Sequence, residues 1–243
     1  MMAMLTTHLT EDTEIRDLAL CLPKHNTLIF SDFHLGYEEM LTSRGTLIPR
    51  FQFKDTMARL EEIFKKIKAA QKIIINGDLK HEFGIISTQE WREILKLIDY
   101  FSKKSEEIII VKGNHDVKLT PIAQKRNITI VQNYRLGDIL IAHGDIIDDE
   151  SNDKNIKTII IGHEHPAITI RSNIRAEKFK CFLKGKWKGK TLIVQPSFNV
   201  LTEGTDILSD KTHSPYLKSI DNFEVFVVAD RILYFGEVKS LLK

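Results

Sequence analysis

Apolar residues along this chain follow two rhythms. Short runs at 18–22, 27–30, 72–75 and 107–111 are bounded by charge, glycine or turn residues and predict buried strands. The first two are joined by a Pro-Lys-His-Asn turn. Between the later runs, apolar positions recur every three to four residues. Phe53, Met57, Leu60, Ile63, Phe64 and Ile67 share one face of a helix predicted over 50–70, with Pro49 just ahead of it. Ser87-Thr88-Gln89-Glu90 is a capping box that opens a second helix, with Trp91, Ile94, Leu95, Ile98 and Phe101 turned inward. A short helix is predicted over 37–44. Strand, polar loop and helix thus repeat three times, which argues for a mostly parallel sheet covered by helices.

After Asp116 the rhythm changes. Apolar runs at 128–131, 139–142, 158–161, 168–170, 180–183, 192–194, 224–228 and 232–235 have little helix between them, so they predict a second, largely antiparallel sheet. The expected architecture is α/β, a four-layer α/β/β/α sandwich of two mixed β-sheets flanked by helices. We expect one domain over 1–243, with 1–15 a poorly ordered segment.

Composition changes this picture little. At 243 residues, 42% hydrophobic and 28% charged, the chain has material for a sizeable core. A net charge of +2 does not by itself call for nucleic acid. Residues 1–14 lack the apolar centre of a secretory signal, and no run approaches the roughly 18 apolar residues of a membrane span. Cys21 and Cys181 form no Cys-x-x-Cys pair, and both are expected to be structural thiols of a reduced, cytoplasmic protein. The oligomeric state, monomer or homodimer, is open.

The chemistry gathers where the apolar runs end. Asp32-x-His34, Gly77-Asp78 with His81, Gly113-Asn114-His115-Asp116, Ala142-His143-Gly144 and Gly162-His163-Glu164-His165 each follow a predicted strand. Taken singly, each block has a bland reading: Gly-Asn is a common turn, Asp-x-His arises by chance, and one histidine is more often a core residue than a ligand. Together they form an ordered series of oxygen and nitrogen donors without thiolate. Such a donor set suits manganese, iron or zinc. If the segments were extended, alternation would put Asp32 and His34 on one side, and likewise His163 and His165.

The order Asp-x-His, Gly-Asp-x-x-His, Gly-Asn-His-Asp, His-Gly and Gly-His-x-His resembles the calcineurin-like metallophosphoesterase superfamily. His34-Leu35-Gly36-Tyr37-Glu38, Gly162-His163-Glu164-His165-Pro166, Lys180-Cys181-Phe182-Leu183 and Gln195-Pro196-Ser197-Phe198 are similar to its archaeal, DNA-ligase-associated branch, related to double-strand-break repair nucleases. The resemblance implies two divalent metal ions, most often manganese, with iron or zinc as alternatives. One would be held by Asp32, His34, Asp78 and His165, the other by Asn114, His143, His163 and again Asp78. It further implies that a hydroxide held between the metals attacks phosphorus. His115 would face the substrate as acid–base group, and Asp116 would hydrogen-bond and orient it. His81 stands where many members carry Asp, and a substrate-binding role is assigned to it.

The expected activity is phosphodiester hydrolysis on DNA or RNA, without a membrane. The alternatives are a small-molecule nucleotide phosphodiesterase or phosphomonoesterase, and a scaffold that has lost catalysis. Two stretches bear on that choice. Residues 171–190 hold Arg171, Arg175, Lys178, Lys180, Lys184, Lys186, Lys188 and Lys190 around Trp187. They read either as a solvated hairpin or as a phosphate-backbone surface with an aromatic for stacking. Asp145, Asp148, Asp149, Glu150 and Asp153 read as a solvated loop, with Asp145 near enough in sequence to support a metal ligand.

Overall fold

The computed structural model of the chain describes residues 7–46, 49–82, 86–126, 128–171 and 175–242. Among them, two β-sheets pack face to face. The first contains β1 (Thr7–Thr10), β2 (Thr13–Arg16), β3 (Ala19–Leu22), β4 (Thr27–Ser31), β5 (Ala70–Asn76), β6 (Ser105–Val111) and β7 (Thr129–Val131), in that spatial order. Tight turns make β1 to β4 an antiparallel meander. Crossovers through α1 (Tyr37–Ser43), α2 (Gln52–Ile67), α3 (Thr88–Phe101) and α4 (Thr120–Arg126) make β4 to β7 parallel.

Two expectations are corrected here. The run at 128–131 joins the first sheet, with Ile110 opposite Ile130, because α4 carries the chain back parallel to β6. The segment 1–15 is ordered from Thr7 onward: β1 and β2 are strands, and their Leu9 and Ile15 are buried. Residues 1–6 lie outside the described residues.

The second sheet contains β8 (Asn133–Leu136), β9 (Ile139–Ala142), β10 (Thr158–Ile161), β11 (Pro166–Arg171), β12 (Ala176–Trp187), β13 (Lys190–Val194), β14 (Thr205–Asp206), β15 (Glu224–Val228) and β16 (Ile232–Glu237). Its order is β14-β11-β12-β13-β10-β9-β8, with β15 pairing both β12 and β16. The centre, β9, β10 and β13, is parallel, so the sheet is mixed rather than largely antiparallel. Strand alternation divides its side chains cleanly. Ile139, Ile141, Ile160, Phe182, Ile193 and Phe226 face the first sheet. Leu140, Ile159, Ile161, Leu183, Leu192 and Val225 face outward into a second apolar cluster.

The outer layers differ in kind. Leu60, Ile63 and Phe64 of α2 and Ile94, Leu97, Ile98 and Phe101 of α3 cover the first sheet. Ile207, Tyr216, Leu217 and Phe223, on irregular chain, cover the second, helped by Val238 of the one-turn α5 (Val238–Leu241). The fourth layer is therefore mostly loop.

One consequence of the topology positions everything else. Six parallel strands, β4, β5, β6, β9, β10 and β13, end in register at one edge of the sandwich. Phe198, just past β13, locks the two halves of that edge. Its N–H donates to the Ser31 carbonyl at 2.7 Å, and its ring meets Phe30 edge-on, with centroids 5.4 Å apart.

Candidate active site

Every block of metal-capable residues singled out in the sequence lies at this edge, in the loops where those six strands stop. The loops are built tightly. Asp32, His34 and Leu35 donate their backbone N–H groups to Gly77, Asp78 and Leu79, extending the β4–β5 pairing past the strands. The expected extended conformation is corrected, however. Asp32, His34, Asp78, His163 and His165 all have positive φ, between 43° and 63°, so left-handed turns rather than alternation bring the side chains together. Gly77 and Gly113 are required by crowding. A Cβ on Gly77 would stand 1.9 Å from His143 Nδ1, and one on Gly113 2.2 Å from Asp78 Oδ1.

Three groups of possible donors result, each with its ligand atoms within 4.8 Å of one another: two donor clusters of the expected ligands, Asp32–His34–His165 and Asp78–His143–His163, and beside them His34–His81–His115. His34 and His165 approach to 3.3 Å between their Nε2 atoms. His143 Nε2 lies 2.9 Å from Asn114 Oδ1 and 3.2 Å from His163 Nδ1. Asp78 stands between the clusters: its Oδ2 is 3.6 Å from His34 Nε2 and 3.4 Å from His143 Nε2. Its other oxygen accepts the His115 N–H at 2.9 Å.

Charge balance accounts for the proton affinities. Burial works against ionised Asp32, but the His165 and His143 rings outweigh it and hold the carboxyl below its usual range. Asp78 is likewise held down, against its burial, mainly by His143. Burial and the neighbouring His165 depress His34 to about 3, and burial with His143 lowers His163. His143 goes the other way: burial pulls it down, yet Asp78 and Asp32 lift it to about 9.

The donors fit divalent ions. Asp32 Oδ1 is fully buried and accepts no hydrogen bond among the described residues, while His165 Nε2 and His143 Nδ1 stand 3.5 and 3.7 Å away. A cation there would satisfy Asp32 Oδ1 and His165 Nε2, while His143, whose Nε2 faces Asn114, His163 and Asp78, belongs to the second cluster. Oxygen and imidazole donors without sulfur are the chemistry of manganese, iron and zinc sites.

Comparison decides the family. The calcineurin-like phosphoesterase model matches residues 25–222. This chain belongs to that family. It is accordingly a metal-dependent phosphoesterase. Nuclease MPE from Pseudomonas putida shares its fold, with a TM-score of 0.66 at 18% identity, over 92% of this chain and 94% of that one. Vps29 from Entamoeba histolytica, solved with zinc, aligns at 14% identity over 86% of this chain and 98% of its own, with a TM-score of 0.38. No curated protein matches. No helix among the described residues is long and apolar enough to cross a membrane.

Within this calcineurin-like phosphoesterase, a cavity of about 360 Å³ opens over the clusters, lined by His34, Asp78, His81, His115, His163 and His165. Tyr37, from the His34–Glu38 motif, lines it too, as do Asn199, Thr202 and His213, which nothing in the sequence pattern marked. His81 stands on the Tyr37 side, its ring 4.7 Å from the Tyr37 ring and 5.4 Å from that of His115. Burial and His115 lower its pKa to about 4.

Asp116 requires a correction. Its carboxylate was expected to orient the His115 ring; instead it accepts the N–H groups of Gly113 at 3.0 Å, Leu79 at 3.0 Å and Lys80 at 3.4 Å. It pins the two ligand loops to each other from beneath. Burial, reinforced by Asp78, raises it to about 7. The group against His115 Nδ1 is the His81 carbonyl.

The basic stretch also turns out differently. Trp187 is 8% exposed and packs on Tyr216, so it offers no face for a base. Its hairpin sits at the start of β13, whereas the site lies at the end of that strand, roughly 13 Å away at about 3.3 Å per residue. Lys180 turns inward, where its ammonium holds the Ser197 carbonyl and hydroxyl at 2.8 and 2.9 Å and also the Asn199 carbonyl. Burial, with Arg59, lowers it to about 7. Lys184 pairs with Glu224 at 2.7 Å. In the acidic run, Asp148 caps a 3-10 turn over Asp149–Asn152, and Asp153 pairs with Arg135 at 2.6 Å. Asp145 hydrogen-bonds to no ligand among the described residues, and its support is electrostatic: its charge favours the protonated rings of His143 and His163. Both cysteines are free and lie in strands β3 and β12.

Proposed function

We propose that this phosphoesterase hydrolyses phosphodiesters with two divalent ions, manganese foremost, and that its substrate is a nucleic acid. The observation that carries the two-ion reading is Asp78, a single carboxylate facing His34 on one side and His143 on the other. Only an acceptor with two oxygens can serve two cations at once. Asp32, His34 and His165 would hold one ion; Asn114, His143 and His163 the other. When bound, such a pair screens the phosphate's charge and lowers the pKa of water.

The chain's own residues supply the rest. The His81 carbonyl against His115 Nδ1 fixes the proton there and leaves Nε2 on the side of Asp78, 3.9 Å from its Oδ2. An imidazole so held can give a proton to a departing alkoxide. Asp116 keeps the Gly113 and Leu79 loops in register, so His115 and Asp78 keep their spacing. His81, backed by Tyr37, forms the substrate-contacting wall on that side.

A polynucleotide is favoured because the cavity is lined not only by the donor clusters but also by Asn199, Thr202 and His213, polar residues that belong to neither cluster. The structural likeness to a protein named a nuclease supports the same choice. The alternative, a small nucleotide substrate, is separated by one panel. With added manganese, single- and double-stranded DNA, RNA, cyclic nucleotides and simple monoesters are compared by kcat/KM. Higher turnover of cyclic nucleotides or monoesters than of every polynucleotide overturns the nucleic-acid reading. No turnover of any of them, with metal bound, returns the chain to a scaffold.

A further inference from the structure

The wall of the cavity formed by Asn199, Thr202 and His213 is assembled in a way the metal site does not require. Glu164 lies between the ligands His163 and His165, but its side chain points away from the donors. It is fully buried, and its Oε2 accepts two backbone N–H groups, from His213 and Ser214, each at 2.8 Å. Ser214 in turn donates its hydroxyl to the Gly144 carbonyl at 2.6 Å, next to His143. The loop carrying His213 is therefore fastened at adjacent residues to both metal-ligand segments. His213 itself remains exposed and lines the cavity, and its ring makes no hydrogen bond among the described residues.

Beside it, the loop after β13 contributes two more polar groups. Asn199 is 1% exposed. Its Oδ1 accepts the Leu201 N–H at 2.9 Å, yet its Nδ2 has no acceptor among the described residues. Thr202 Oγ1 is likewise buried without a partner. Unsatisfied buried polar groups are rare because each forfeits about 1–3 kcal/mol of solvation. Two of them lining one cavity, flanked by a free imidazole, mark a surface made to meet an acceptor-rich ligand.

We infer that Asn199, Thr202 and His213 form a substrate subsite for the sugar–phosphate that flanks the scissile phosphate in a polynucleotide. This rests on the phosphodiester reading above. The donors offered, an amide N–H, a hydroxyl and an imidazole, match the oxygens of a ribose or deoxyribose and its phosphate. With the scissile phosphate over the two clusters and its leaving oxygen toward His115, the rest of the polynucleotide lies along the remaining lining of the same cavity, which Asn199, Thr202 and His213 supply. The loop's attachment to Glu164 and Gly144 fixes the spacing between this subsite and the donor clusters, which is what a subsite for a covalently attached neighbour demands.

The test compares kcat/KM for a DNA trinucleotide with that for bis(p-nitrophenyl) phosphate, under manganese, in wild type, His213→Ala, His213→Gln and Thr202→Val. Wild type is expected to prefer the trinucleotide. His213→Ala and Thr202→Val should each cut that preference about tenfold, the scale of one hydrogen bond to a charged or buried group. The loss should fall mainly on KM, and His213→Gln, which keeps an N–H donor, should recover much of it. Metal content and melting temperature show whether the loop is intact. If wild type prefers the trinucleotide and the variants keep that preference, the subsite is overturned while the diesterase reading stands. If wild type hydrolyses the nitrophenyl diester but treats the trinucleotide no better, the subsite is again overturned. If neither diester is hydrolysed, the function proposed above fails and the subsite falls with it.

Discussion

Asp78 Oδ2 lies 3.4 Å from His143 Nε2, and the same oxygen is within 3.6 Å of His34 on the other side. Replacing Asp78 with Asn removes the one negative charge the two clusters share. We expect Asp78→Asn to retain fewer than two metals per chain by elemental analysis and to lose most activity. Full metal content with normal turnover would show that Asp78 bridges nothing.

The same contact sets a pH dependence. In the metal-free chain His143 titrates near 9, raised by Asp78 and Asp32 against the effect of its burial. At pH 7–8 it is therefore protonated and must release a proton before it can ligate. Apparent metal affinity should rise steadily with pH up to about 9 and then level off. Calorimetric loading in buffers of different ionisation heat should show proton release. The sign for folding is opposite. The raised His143 pKa stabilises the metal-free fold fully below its unfolded value of about 6.5, and that contribution is lost as pH rises through about 9.

His115→Ala should leave metal content near normal and lower kcat by roughly 10²–10⁴-fold, the range for a positioned acid–base group. The loss should shrink for a nitrophenolate leaving group, which needs little protonation. Equal losses for good and poor leaving groups would assign His115 to positioning alone.

Lys186→Ser with Lys188→Ser should leave turnover of a small diester within about twofold, since surface changes distant from a site are usually near neutral. Trp187→Ala should instead destabilise the protein by about 3–5 kcal/mol, as expected for deleting a buried aromatic. Denaturant unfolding reads the second and steady-state kinetics the first. Weakened DNA binding in the lysine variant, seen as a shallower salt dependence, would bring this edge back as a nucleic-acid surface.

These outcomes follow the line between what the sequence carries and what it does not. Ile73 to Ile75, Ile108 to Val111 and Ile159 to Ile161 read as strands because buried β-structure writes itself as unbroken apolar runs. The donor blocks read as a site because each follows such a run. Pairing partners are less legible: an apolar run states that it is buried, not which neighbour covers it, so the run at 128–131 does not reveal that it pairs with β6. The role of Asp116 is hidden for a similar reason. Adjacency to His115 suggested a partner, but the side chain reaches backbone 36 and 37 residues earlier. His213 carried no signal at all, since the loop that presents it is fixed by a carboxylate 49 residues away.

Five of the residues that would grip the ions, Asp32, His34, Asp78, His163 and His165, sit where glycine would be the comfortable choice. At these positions a change that relaxes the backbone also deletes a donor. Selection for stability and selection for catalysis therefore pull against each other on the same five residues. The apolar sandwich behind them, whose strands can absorb conservative exchanges, is where such a chain can gain the robustness that its catalytic edge gives up.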